Sequence, residues 1–523
     1  MPSTTHPTEV LVVGAGPVGL ALALGLARSG VDCRIIEREP EFRTIGVRGK
    51  GVSPRTLEIL DDLGVVQQMY ARGTHNPKVR TYRGSRLVAE ADPAPGNAPT
   101  PDRPHRGMLL IPQHHTEAVL RYRLAEYGVK VELDTELLDH EQDADLVRAT
   151  VRHGERTEVV TARYLVGCDG GRSAVRKLAG IPFHGETWEE ERFLLAAMHV
   201  DGLDPDCLHL WDHPELGIGA LTLVPLRSDG NWAVHAAVTP DAHGELPEPS
   251  TATFRRLFAE RAGLPGVELR DLVWSSVWRP TVRMVERYRS GRVFLAGDAA
   301  HCHSAAGGQG LNTGIQDAHN LSWKLAAALR TTPDSPLDPA ALLDSYQAER
   351  LPVARAVLAA TSAQHRALFT DRGAEAFTRQ LVTQSDNAGG DLTGLTINYR
   401  GGPLGRDLDD STGIRAGDRA PDAPCRTADG RDVRLFDLFR GPHSTLLGFG
   451  KGAAAALTEA SGLPGIRAAA VHDPAGHAHR AYGVTGNAVV LVRPDGYVAL
   501  TAGAGARALE VARLGAQLRE LVG

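Results

Sequence analysis

The sequence predicts an α/β protein: a mostly parallel sheet, an antiparallel insert, and a smaller α/β module after it. Three observations predict it. Short apolar runs that end in glycine, at Val10–Val13, Tyr164–Val166 and within Arg292–Ala296, read as buried parallel strands. From about Phe183 to Arg283 the pattern changes to runs separated by Gly, Asp and Pro, which read as antiparallel strands. After Gly401 the character shifts again, and 523 residues suffice for three domains.

The elements follow in order. Val10–Val13 is a strand that runs straight into Gly14. Leu20–Ala27 is a helix that stops near Gly30, where a left-handed glycine ends helices well. Val31–Glu37 is the second strand, and the amphipathic stretch 54–64 is a helix. Proline-rich 92–107 is a loop, Ile111–Gly128 a helix, and Tyr164–Val166 a strand entering Gly167-Cys168-Asp169-Gly170. Phe193–Val200, Ala220–Pro225 and Trp232–Val238 are strands of the insert. After the Arg292–Ala296 strand come Gly297-Asp298, a long helix from about Asn312 to Leu329, and another over Asp344–Leu368. Strands near Leu446–Phe449 and Val489–Val492 belong to the last module. The expected domains are 1–182 with 284–400, interrupted by 183–283 and followed by 401–523.

Composition narrows the function. Hydrophobic residues make up 42% and charged residues 23%, as in ordinary globular proteins. Net charge is −6 with no basic run, so no nucleic-acid or membrane partner is expected. No apolar run approaches the ~20 residues of a membrane span, and the first ten residues lack the pattern of a secretory signal. Cys33, Cys168, Cys207, Cys302 and Cys425 form no CxxC motif, which argues against a disulfide scaffold or thiolate zinc and for a reducing cytoplasm.

Gly14-Ala15-Gly16-Pro17-Val18-Gly19 fits the G-x-G-x-x-G turn between a strand and a helix. In such a turn Gly14 permits the sharp bend, Gly16 lets backbone approach a pyrophosphate, and Gly19 lets helix meet strand. The helix N-terminus adds free N–H groups and partial positive charge. Glu37 closes the second strand, where a carboxylate accepts ribose hydroxyls and would repel a 2′-phosphate. The motif suits FAD or NAD and does not separate them.

The second half of the site does. A buried strand delivers Asp298 at its carboxyl end, and Gly307-Gly308-Gln309-Gly310-Leu311-Asn312 opens a long helix. A helix N-terminus aimed at a ring stabilises the negative charge of a reduced flavin, a device for which NAD has no use. Over GDAAHCHSAAGGQGLNTGIQDAHNLSWKL the chain resembles the FAD-dependent aromatic hydroxylases, the single-component para-hydroxybenzoate hydroxylase-like flavoprotein monooxygenases. Gly167-Cys168-Asp169-Gly170 resembles their DG motif, which serves FAD and NADPH. The resemblance covers about residues 8–370, and 401–523 resembles the thioredoxin-like appendage of the phenol and polyketide hydroxylases. It extends to the polyketide-tailoring and rifampicin-type monooxygenases.

This resemblance implies a Rossmann-like FAD-binding domain with an inserted β-rich substrate domain and a C-terminal thioredoxin-like domain. It implies that Glu37, with Arg38 beside it, holds the adenosine ribose, and that Asp298 holds the ribityl chain. Gln113 matches the family glutamine near the ribityl–pyrophosphate, and Gly310, Leu311 and Asn312 would cradle the isoalloxazine edge. Arg48 and Lys50 fall on the family's R-x-R pair, with Lys50 a departure because an ammonium cannot stack as a guanidinium does. Ser304-Ala305-Ala306 stands where the family carries proline, which should loosen the wall beside the flavin.

The implied chemistry is reduction of FAD by NADPH or NADH, addition of O2 at flavin C4a, and oxygen transfer from the resulting hydroperoxide to a phenolic or polycyclic aromatic substrate. Baeyer–Villiger insertion and a non-oxygenating FAD oxidase or reductase remain alternatives. A monomer or homodimer is expected. No metal is expected: His301 and His303 lack a completing ligand, and His114-His115 reads as a surface pair at a helix start. His209, Trp211, Trp232 and His235 are candidates for the substrate cavity, with strand alternation turning some of them away.

Overall fold

The computed structural model describes residues 8–46, 49–94, 96–188, 191–304, 306–332, 337–369, 393–410, 412–427 and 430–503. Its organising element is an eight-stranded sheet built around Thr8–Val13. That strand pairs in parallel with Cys33–Ile36 on one side and Arg156–Gly167 on the other, and Val293–Leu295 adds in parallel beyond. Val10, Leu11 and Val12 are fully buried, as a β-branched run covered on both faces must be. The helices Pro17–Arg28 and Gln309–Arg330 pack against each other and the sheet. All four strands end at the same edge, so Gly14, Glu37, Cys168 and Ala296 emerge side by side. Open α/β sheets bind ligands at that edge.

The insert forms a second, seven-stranded sheet, and it reaches outside the expected span. Between Arg192–Asp201, Cys207–His213, Gly217–Leu226, Asn231–Val238 and Glu268–Trp278 the pairing is antiparallel, but Lys78–Arg83 pairs in parallel with Cys207–His213 and carries Arg86–Ala91 at the rim. These rim strands are half polar and short, so periodicity does not reveal their distant partner. One face of the sheet packs under the helix Thr251–Ala262, around Trp211, Trp232 and Phe254. The other face carries Leu195, Ala197, Val224 and Ala233 toward the first unit.

The last module has a five-stranded sheet, ordered Arg406–Asp407, Val498–Gly503, Ala488–Val492, Ser444–Phe449 and Ile466–Val471. Buried charges fasten it to the first unit. Arg493 pairs with Glu349 at 2.6 Å, Lys324 reaches Glu349 at 2.7 Å, and Asp495 accepts from Asn320 and Trp323 at 3.1 Å. Nearby, Glu58 takes Arg55 at 2.8 Å and Arg419 at 2.6 Å. Removing one side of a buried ion pair costs about 3–5 kcal/mol. A chain truncated after residue 400 should therefore fail to accumulate in soluble form, which expression and size-exclusion chromatography would check. Truncated protein that stays soluble and melts as the full chain does would contradict this.

Candidate functional site

The site grows from the glycine turn at the end of the first strand. Gly14 has φ +100°, and a Cβ there would lie 2.6 Å from the Cys168 carbonyl oxygen. A Cβ on Gly19 would lie 1.9 Å from the Gly14 carbonyl oxygen, whereas one on Gly16 would meet nothing within 4 Å. The turn is thus closed against protein at Gly14 and Gly19 and open at Gly16. Pro17 takes the first helical position, and no side chain caps the helix, so its leading N–H groups are not taken by a capping side chain. Glu37 sits directly beside the turn: its Oε2 accepts from Ala15 N–H at 2.9 Å and its Oε1 from Glu39 N–H at 3.2 Å. Arg38 is exposed and lies 3.4 Å from Glu39.

Asp298 lies on the next loop. Its side chain is exposed to solvent although many protein atoms surround it, as in a cleft. Among the described residues no hydrogen bond or ion pair engages its carboxylate. Burial pushes that carboxyl above the usual range, with His301 pulling the other way. Gly310 stands beside it, 3.9 Å from Oδ1 to an added Cβ. Gly307 and Gly308, at φ +75° and +63°, turn the chain into the Gln309–Arg330 helix, whose N-terminus also lacks a side-chain cap.

Below this loop lies a group of buried charges that the sequence did not single out. Asp317 Oδ2 accepts from Gly297 N–H at 3.1 Å and pairs with His301 Nε2 at 2.7 Å, while Oδ1 takes Arg350 Nε at 2.7 Å. Arg350 continues to the Tyr399 hydroxyl and the Thr313 carbonyl. All three side chains are fully buried. His301 is therefore a strut of the Asp298 loop. Arg176 is a second strut, donating to the carbonyls of Ala299 and Gly171.

Other expected residues divide between open and committed. Asn312 is committed: its amide donates to the carbonyls of Gly51 and Gly308, and its Oδ1 accepts from Ser53 N–H at 2.8 Å. Asp169 is committed as well, accepting from Ala174 N–H at 2.7 Å and from Ser173 to cap the helix Ala174–Leu178. Gln113 donates to Glu117 at 2.7 Å, and its Oε1 and Leu311 both flank Gly49. Arg48 and Ala305 lie outside the described residues; Ser304 is buried and its Oγ donates to the Thr361 carbonyl.

Lys50 faces the apolar side of the second sheet. Its Nζ lies 3.0 Å from His235 Nε2, and both side chains keep some accessible surface although protein encloses them. Burial pulls the Lys50 ammonium down to about 8. Burial, with Lys50 beside it, holds His235 well below its usual range. Around the pair stand Ile45, Met108, Phe193, Leu195, Trp274 and Trp278. Of the four candidates for the cavity, only His235 is on this face. His209 and Trp211 stack with Tyr82, and Trp232 packs against His209, on the opposite face, since alternate positions point opposite ways. His114 and His115 stand at the helix start but are half-buried there, against Asp229 in the turn between Gly217–Leu226 and Asn231–Val238. A contact across more than a hundred residues leaves no local signal.

The residues present fit a flavin dinucleotide. The open face at Gly16, two uncapped helix N-termini and an unengaged carboxylate between them give places for pyrophosphate, ring edge and polyol. Comparison with known proteins agrees. Residues 7–361 match the FAD binding domain family and residues 414–523 the aromatic-ring hydroxylase C-terminal family. A flavin-dependent monooxygenase of Mycobacteroides abscessus is 39% identical over 96% of this chain and 98% of that one. A rifampicin monooxygenase of Streptomyces venezuelae is 36% identical over 72% of this chain and 74% of that one. The crystal structure of aklavinone-11 hydroxylase with FAD and aklavinone superposes with a TM-score of 0.82 at 28% identity, covering 99% of both chains. Among the described residues no helix is long and apolar enough to cross a membrane.

Proposed function

Since the chain belongs to the FAD-dependent aromatic-ring hydroxylases, in the branch of polyketide-tailoring and rifampicin monooxygenases, we propose that this flavoprotein monooxygenase uses NADPH or NADH and O2 to hydroxylate a phenolic or polycyclic aromatic substrate of polyketide type. Bound FAD supplies the redox chemistry, taking a hydride from the nicotinamide and activating O2. The leading N–H groups after Gly16 would hold the pyrophosphate, Glu37 the adenosine ribose, and Asp298 the ribityl hydroxyls. The N-terminus of the Gln309–Arg330 helix, at Gly310 and Leu311, would face the ring edge and favour its negative charge. Gln113 would contact the cofactor through its amide. Asn312 and Asp169 shape the cradle without giving up their side chains.

The observation that carries the proposal is the Lys50–His235 pair, set in an aromatic and aliphatic wall next to Leu311 and Gly49. A phenol lying on that wall would present its hydroxyl to Lys50 Nζ. The uncharged amine takes the proton: the O–H bond breaks, an N–H bond forms, and oxyanion and ammonium remain paired. His235 Nε2 accepts from the ammonium and keeps it aimed. The oxyanion raises electron density on the ring, which an electrophilic oxygen then attacks, and the apolar wall keeps water out. No protein nucleophile is needed.

NAD(P)H oxidation by FAD-loaded protein in air, with and without a panel of polycyclic phenols, tests the reaction. Strong stimulation, little peroxide and a product carrying one added oxygen are expected. One peroxide per NADPH with every compound would mark an oxidase instead. For the pair, kcat/KM should rise with pH through about 8, because only uncharged Lys50 accepts the proton. Lys50→Met should lose that rise and about 10²-fold or more in kcat/KM, with the flavin spectrum unchanged. An unaltered profile in Lys50→Met would remove Lys50 from the reaction.

A further inference from the structure

His114 and His115 are the second and third residues of the helix Gln113–Ala125, and their rings lie 4.3 Å apart. They point at Asp229 in the turn that joins Gly217–Leu226 to Asn231–Val238, where Asp229 N–H donates to the Leu226 carbonyl. His115 Nε2 lies 2.5 Å from Asp229 Oδ1, and His114 Nε2 lies 3.4 Å from Oδ2. One ligand atom from each residue can be chosen so that all lie within 4.8 Å of one another. The three side chains keep 10%, 23% and 15% of their surface for His114, His115 and Asp229, so the cluster is tucked in and still reachable. His114 Nδ1 is buried and has no hydrogen-bond partner among the described residues.

We propose that His114, His115 and Asp229 form a binding site for a first-row transition-metal dication of the Zn2+ type, clipping the dinucleotide-binding unit to the substrate sheet. Zinc bonds to imidazole nitrogen and carboxylate oxygen are about 2.0–2.2 Å, which places tetrahedral donors roughly 3.3 Å apart. His114 Nε2 already stands at about that distance from Asp229 Oδ2, and His115 Nε2, now hydrogen-bonded to the other oxygen, Oδ1, must release that bond and open by about 1 Å. Two imidazoles and one carboxylate are the N/O donor set that suits zinc, nickel or copper in preference to magnesium or calcium. A fourth position is left to water. The site joins the helix that starts at Gln113 to the hairpin whose strands carry Val224 and His235. An ion here would stiffen the seam between cofactor and substrate units. It stands apart from the Lys50–His235 pair and does not depend on the proposed reaction.

The test uses FAD-loaded full-length protein, freed of metal with a chelator. Titration with ZnCl2 by calorimetry should show one saturable site per chain, and zinc should raise the thermal midpoint. CoCl2 should give the visible bands of a four-coordinate cobalt ion. His115→Ala and Asp229→Asn should each weaken zinc at least about tenfold and abolish the cobalt bands, with an unchanged flavin spectrum reporting intact folding. No saturable site in the wild-type chain, or equal zinc binding by wild type and both variants, would overturn the proposal.

Discussion

Gly19→Ala should give a protein purified almost free of flavin, with FAD affinity lowered by about a hundredfold or more. A methyl group there would stand 1.9 Å from the Gly14 carbonyl oxygen, which is backbone and cannot swing away. The helix must move off the strand, and the N–H groups meant for the pyrophosphate move with it. The companion substitution separates cofactor loss from misfolding. At Gly16 a Cβ meets nothing, and the backbone, at φ −71° and ψ −178°, suits alanine. Gly16→Ala should therefore leave the melting of flavin-free protein unchanged while still weakening FAD, because its methyl fills the space of the phosphate. Gly19→Ala should lower both. Flavin absorbance per chain, FAD titration and thermal melts of the apo forms read these outcomes. Full flavin content in Gly19→Ala would show that the turn is not the cofactor's seat.

Asp317→Ala should destabilise the fold by about 3–5 kcal/mol. The carboxylate is the shared counter-charge of Arg350 and a hydrogen-bond partner of His301, and it also receives the Gly297 N–H. Without it a fully buried guanidinium stands unpaired and the Asp298 loop loses its anchor. Asp317→Asn keeps the shape but not the charge and should fall between. Burial by itself would raise the Asp317 carboxyl, but Arg350 and His301 outweigh it and hold the group below the usual range. A depressed carboxyl contributes stability that is present above the unfolded value and is lost as pH falls through the folded one. Denaturant melts between pH 7 and pH 3 should accordingly show wild type and Asp317→Ala converging at the acid end. A gap that stays constant would mean the charge contributes nothing.

How much was legible depends on how local the signal is. The strand–turn–helix at Val10–Gly19 is written in contiguous residues, as are the strand Val293–Leu295 and the long helix after Gly308. The fold class follows from these; the glycine turn with an acid 21 residues after Gly16 admits FAD or NAD alike, and the Asp298 strand with the Gly307–Asn312 turn points to the flavin family. The Asp317–Arg350–His301 group was not legible, since its members lie on three elements and each looks like an ordinary charged or polar residue. Neither was the commitment of Asn312. Its place in the motif suggested contact with the cofactor, but its amide ties the long helix to Gly51. The Lys50 substitution was visible, yet its meaning needed His235, which only strand alternation and sheet packing bring across.

The pairing of Lys78–Arg83 with Cys207–His213 bears on how the chain is made. That contact closes a loop of well over a hundred residues, which is entropically slow to form. At roughly 5–20 residues per second of synthesis, the hairpin 78–91 waits on the order of ten seconds for its neighbour. During that interval it is an unpaired β edge, the kind of surface on which nascent chains stick together. Its composition answers the hazard: Lys78, Arg80, Arg83 and Arg86 repel a second copy of the same hairpin. Neutralising those four should leave the finished enzyme active but lower its soluble yield when translation is fast.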